Sequence, residues 1–138
     1  MELINKHIQA IKNPQSYTGL LEAIGDAEIV LLGESTHGTT EFYSSRIEIS
    51  KRLIQEKNFR TIAIEGDWPD VYSLNSFTNS NKPKDTLLET LQVFKRFPQW
   101  MWANEVIYNF LIWLRDYNQS QLNQRVCLYG LDLSLIHI

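Results

Sequence analysis

Glu34 and His37 set a carboxylate and an imidazole three positions apart, directly after an apolar run, and Glu65 and Asp132 end two later apolar runs in the same way. A His flanked by carboxylates is what general-base activation of water requires. The imidazole accepts a proton, and an acid orients the ring and stabilises its charged form. The unperturbed pKa of His, about 6.5, suits that task. Two or three carboxylates with one His also suit a divalent ion, so metal binding is the competing use of the same residues. Their spacing carries no metal-ligand signature.

The elements that must position these groups follow from periodicity. Ile29-Val30-Leu31-Leu32 is a continuous apolar, β-branched run, the pattern of a strand buried on both faces. It stops at Gly33, and the polar loop to Gly38 leads into a helix that Thr39 or Thr40 can cap, with Phe42, Ile49 and Leu53 at helical spacing. Lys57-Asn58 closes that helix. Arg60 to Glu65 reads as a second strand, and a helical crossover makes the two strands parallel neighbours in a βαβ unit. In an open α/β sheet ligands bind beyond the carboxyl ends of the strands, where this loop lies.

The rest of the chain fits the same class. Leu3, Ile4, Ile8 and Ile11 mark a first amphipathic helix ending near Asn13-Pro14, and Leu20, Leu21 and Ile24 a shorter second one. Pro69 suits the first turn of a helix carrying Val71, Leu74 and Phe77, with Asp67 or Trp68 at its cap. After the polar stretch from Asn79 to Lys84, Asp85 can cap a helix carrying Leu87, Leu88, Leu91 and Phe94. Ala103, Val106, Ile107, Phe110, Leu111 and Leu114 form the clearest helical pattern, Asn118 to Gln124 is loop, and Arg125 to Gly130 is a third strand. The fold class expected is α/β, a parallel sheet with flanking helices.

Composition narrows the function classes. A hydrophobic fraction of 43% and an aromatic fraction of 12% belong to a globular protein. The formal net charge of −3 comes with no basic run, which removes the electrostatic case for nucleic acid. No apolar run approaches the ~20 residues of a membrane span, and residues 1–6 lack the pattern of a signal peptide. The single Cys127 cannot form an internal disulfide. These features together lead to an expectation of a cytoplasmic protein.

The run Gly33-Glu34-Ser35-Thr36-His37-Gly38, followed by Glu41-Phe42-Tyr43 and Arg46, resembles the amino-terminal signature of the erythromycin esterase family. Glu65-Gly66-Asp67-Trp68, then Phe97-Pro98-Gln99-Trp100-Met101-Trp102 with Asn104-Glu105, then Tyr129-Gly130-Leu131-Asp132, resemble its later blocks in the same order. The resemblance implies an EreA/ChaN-like α/β fold and a hydrolase that opens the lactone of macrolide antibiotics, with a small-molecule ester or lactone as partner. By that likeness His37 is the general base, Glu34 orients it, Arg46 and Glu65 complete the polar cluster, and Trp68, Trp100 and Trp102 wall the substrate cleft. No cofactor is required by the sequence, and a divalent metal stays open. The family domain is longer than this chain, so residues 1–132 are expected to be the amino-terminal part of an incomplete domain. Residues 133–138 depart from the family pattern as an atypical tail, and His137 is not placed in the site.

Each of these residues also has a structural reading. His37 could hydrogen-bond within a turn, Glu34 could be satisfied by amides at the helix start, and Arg46 could be a surface ion-pair residue. Asp67 reads better as a cap than as a catalytic group. The Trp residues are more often core or lid packing than substrate contacts, and Cys127 reads as strand packing. The rival functions are a non-catalytic or small-molecule-binding homologue of the same fold, or an inactive truncated fragment.

Overall fold

The structure is a computed structural model, and it describes residues 13–81, 86–92, 101–121 and 123–131. The helix expected from Leu3 to Ile11, and Asp85, Phe94, Trp100, Asp132 and His137, lie outside the described residues. A short 3-10 turn, Pro14–Tyr17, leads into α1 (Thr18–Ile24). After an irregular stretch come α2 (Thr40–Lys57), β1 (Thr61–Glu65), α3 (Trp68–Asn79), α4 (Leu87–Leu91), α5 (Glu105–Ser120) and β2 (Cys127–Leu131). Among the described residues no helix is long and apolar enough to cross a membrane.

Strands β1 and β2 pair in parallel, with Thr61 opposite Cys127 and Glu65 opposite Leu131. Parallel pairing needs a long crossover, supplied here by α3 to α5. The two strands present Ile62, Ile64, Val126 and Leu128 to one face, where Val71, Leu74, Phe110, Leu111 and Leu114 complete the core. On the opposite face Thr61, Ala63, Tyr129 and Leu131 are exposed.

Each helix is set by local chemistry. In α2, Tyr43, Ile47 and Ile54 recur at helical intervals and face the core, Glu41 and Lys57 match the dipole at its two ends, and Asn58 ends it at φ 59°. Lys51 Nζ lies 5.0 Å from the Trp113 ring centroid, tying α2 to α5. The α5 amino terminus is capped by Asn104, whose side chain accepts from Ile107 N–H at 3.0 Å. In α3, Asp67 occupies the N-cap position and Pro69 the first turn.

Four expectations need correction. The run Ile29 to Leu32 is not a strand; Ile29 and Leu31 are 78% and 90% exposed. A cleft of about 1150 Å³ lies between this run and β1, lined by both, and hydrogen-bonded strands must sit within ~4.8 Å of each other. Among the described residues the sheet therefore has two strands, and β1 has β2 as its parallel neighbour. Phe42 is 43% exposed, because the helix turns Tyr43 inward instead. The cap of α4 is Thr86, whose hydroxyl accepts from Glu89 N–H while the Glu89 carboxylate accepts from Thr86 N–H at 2.7 Å. Asn118 belongs to α5 rather than to a loop and is buried.

The reason Asn118 is buried is the far edge of β2. Val126 N–H donates to Asn118 Oδ1 at 2.8 Å, Asn118 Nδ2 donates back to Val126 C=O at 2.9 Å, and Leu128 N–H donates to Asn75 Oδ1 at 2.8 Å. Helical asparagines thus satisfy strand groups that would otherwise be buried without partners.

Candidate functional site

The loop from Gly33 to Thr39 leaves the irregular stretch and enters α2, and its end at the amino terminus of that helix sets where its side chains can reach. His37 Nε2 lies 2.6 Å from Glu34 Oε2, an i, i+3 contact across the turn. The other carboxylate oxygen, Oε1, accepts from Arg46 Nη1 at 2.8 Å, and Arg46 Nη2 donates to the Gly33 carbonyl at 3.2 Å. Glu34 is therefore gripped from both sides, by a guanidinium and an imidazole. The side chains of His37, Glu34 and Arg46 are 36%, 31% and 23% exposed, so the group is open to a small molecule yet partly shielded.

Tyr43, for which the sequence reading assigned no role, sits beside this cluster. Its hydroxyl donates to the His37 main-chain carbonyl at 3.1 Å. Burial pushes the hydroxyl's pKa above its ordinary value, the Glu34 charge adds to this, and Arg46 opposes it. The signal that could have found it is the i, i+3 spacing to Arg46 on one helix face.

Glu65 lies at the end of β1 and lines the same cleft as Glu34 and Arg46, so the structure brings the three to one cavity. Its main-chain carbonyl accepts the indole N–H of Trp102 at 2.7 Å. Trp102 is 7% exposed and belongs to the core, and it also lines the cleft. Trp68 stands apart: 55% exposed, it stacks on Tyr72 with ring centroids 5.4 Å apart. Trp100 and Asp132 fall outside the described residues. Among the described residues no group of three or more His, Cys, Asp or Glu side chains converges to hold a metal ion. Both oxygens of Glu34 are already engaged by Arg46 and His37, which does not fit a ligand role in this arrangement.

The close approach of β2 to the loop after β1 is part of the frame. A Cβ on Gly130 would lie 2.6 Å from the Gly66 carbonyl oxygen and 2.9 Å from Trp68 Cα, so only glycine fits there.

Comparison with known proteins gives the chain its relatives. The chain is 25% identical over 121 residues to an erythromycin esterase type II of Escherichia coli, covering 88% of this chain and 27% of that one. It is 24% identical to the putative hydrolase YbfO of Bacillus subtilis, over 83% of this chain and 24% of that protein. It thus spans about a quarter of the length of these curated relatives. Among solved structures, a succinoglycan biosynthesis protein superposes with a TM-score of 0.72 at 28% identity, over 91% of this chain and 31% of the other. A Bacillus cereus protein superposes with a TM-score of 0.70 at 25% identity, over 86% of this chain and 27% of the other. The α/β architecture is theirs in the part that this chain covers. The erythromycin esterase family model matches residues 54–137, more than half of the sequence, and the chain belongs to that family.

Proposed function

We propose that this chain carries the water-activating pair of an ester hydrolase, acting on a small-molecule ester or a macrolide lactone. The observation that carries the reading is the 2.6 Å contact of His37 Nε2 with Glu34 Oε2. A neutral imidazole facing a carboxylate through Nε2 must carry its proton there, which leaves the Nδ1 lone pair as the base. Nδ1 takes a proton from water as the water oxygen bonds to the ester carbonyl carbon. The tetrahedral intermediate then expels the alkoxide, which takes the proton back from Nδ1. Glu34 stabilises the imidazolium between the two steps and holds the ring in the productive tautomer. Arg46 acts through Glu34, since one of its donors goes to that carboxylate and another to the Gly33 carbonyl. Glu65 and Trp102 form the wall of the cleft that the reacting ester would enter.

Family membership supports a hydrolase, and the name of one relative, an erythromycin esterase, points to an ester substrate. The test is hydrolysis of simple aryl esters and of a macrolide by the protein and its His37→Ala variant, each with and without a chelator. Loss of a general base costs typically 10²- to 10⁴-fold, so the variant is expected to fall by about that much. Activity that survives His37→Ala would remove the assigned base. A well-folded protein that hydrolyses no ester would favour a binding homologue, and a chelator-sensitive activity would bring a metal into the site.

A further inference from the structure

The loop that carries the Glu34–His37 pair is fastened at both ends by one helix. Arg46 takes the start of the loop, through Glu34 Oε1 and the Gly33 carbonyl. Tyr43 takes the end, through the His37 carbonyl. Positions three apart on a helix stand side by side, so α2 acts as a ruler whose two marks set the loop's span. The two fastenings differ in kind. Arg46 is a long, partly exposed side chain, whereas Tyr43 is 8% exposed and belongs to the hydrophobic core. The hydroxyl therefore has a position fixed by packing, which a solvent-exposed partner would lack.

We infer that Tyr43 is a positioning residue for the pair: its hydroxyl fixes the main chain at His37 so that the imidazole presents Nε2 to Glu34. A peptide rotation at residue 37 would swing the ring, because the carbonyl and the side chain share the same Cα. The hydrogen bond blocks that rotation. The hydroxyl stays a donor across neutral pH, since burial and the neighbouring Glu34 charge both favour its protonated form. Its grip is thus unaffected in the range where an imidazole works as a base. The effect of Tyr43 on rate rests on the hydrolase reading above; its effect on the imidazole does not.

Tyr43→Phe separates this role from packing, because the ring stays in the core and only the donor is lost. The first readout is the ring-nitrogen spectrum of His37 in the full chain, resolved from His7 and His137 by comparison with His37→Gln. The wild-type protein is expected to show the Nε2–H tautomer, and Tyr43→Phe a mixture in which the Nδ1–H form rises several-fold. The second is ester hydrolysis, where Tyr43→Phe is expected to lower kcat about tenfold, the equivalent of one hydrogen bond, with KM within about twofold. Circular dichroism and a melting curve report whether the variant keeps the fold. A tautomer ratio that is the same in both proteins, or a wild-type protein without the Nε2–H form, would overturn the inference whatever kcat does. A tautomer shift in a protein that hydrolyses nothing would uphold the positioning role and sink the hydrolase reading instead.

Discussion

Glu34 is the residue on which the two ends of the cluster meet, and its substitution tests the reading most sharply. In Glu34→Gln the amide keeps the size and still offers an oxygen to Arg46, but it turns an N–H₂ toward His37. A donor facing Nε2 favours the opposite tautomer, which places the proton on Nδ1 and removes the base. The variant is therefore expected to lose on the order of 10²–10⁴ in kcat, with little change in KM, measured by steady-state ester hydrolysis. Glu34→Gln activity within a few-fold of wild type would show that the carboxylate only ties down the loop. Gly130 makes a prediction of the opposite kind, about stability alone. The Cβ of Gly130→Ala meets main-chain atoms of Gly66 and Trp68, which cannot rotate away. A loss of about 1–3 kcal/mol in urea unfolding is expected, the usual range for forced overpacking. At this scale the sequence was informative about Glu34, His37 and Arg46, because a polar motif between an apolar run and a helix announces itself. Tyr43 was illegible for the converse reason: a tyrosine at a core-facing helical position reads as packing, and only coordinates reveal where its hydroxyl ends.

At the scale of elements, the helices could be read from periodicity because each buries one stripe, as α5 does with Ile107, Phe110, Leu111 and Leu114. Periodicity failed at Ile29 to Leu32, since an apolar β-branched run states a preference for a strand but cannot supply the partner a strand needs. It also failed at Asn118, whose polar side chain suggested a loop. That residue exists for its partners, and its replacement has a defined cost. Asn118→Leu keeps the volume but leaves the Val126 N–H and C=O with weakened or no pairing, and one unsatisfied buried group costs about 1–3 kcal/mol. Thermal or urea unfolding should show at least that loss; the carbonyl keeps its bond from Asn79, so a neutral result would mean that the Val126 N–H finds another acceptor. The capping box on α4 carries a pH signature. Hydrogen bonds from the Thr86 N–H and hydroxyl hold the Glu89 carboxyl below its ordinary pKa. A carboxylate lowered in the folded state contributes stability that is present above its unfolded pKa and is lost as pH falls through the folded one. The melting-point gap between wild type and Glu89→Gln should thus be open at neutral pH and close in acid. A gap that is independent of pH would rule out the carboxylate as its source.

For the molecule as a whole, the sheet is covered on one face only among the described residues. Parallel sheets are normally buried on both faces, yet here Tyr129 and Leu131 are 47% and 44% exposed and Ile29 and Leu31 more so. Among the described residues the far edge of β1 pairs with no strand. Cys127 N–H donates to the Arg60 carbonyl and Gly66 N–H to the Leu131 carbonyl. Alternate residues of a parallel strand bond the same neighbour, so Ile62 and Ile64 serve β2 while the main-chain groups of Thr61 and Ala63 point into the cleft. An open edge beside exposed apolar side chains is a template for pairing between chains. The protein is expected to associate with rising concentration in sedimentation velocity, and two substitutions separate the causes. Ala63→Pro removes an N–H that the β1–β2 ladder does not use, so it should weaken association while leaving the ladder formed. Leu131→Lys charges the uncovered face without touching the edge. If Leu131→Lys disperses the protein and Ala63→Pro does not, contact runs face to face. If Ala63→Pro is the effective one, chains meet along β1, and the cleft beside Glu34 and Glu65 is then the place where a further strand would close the site.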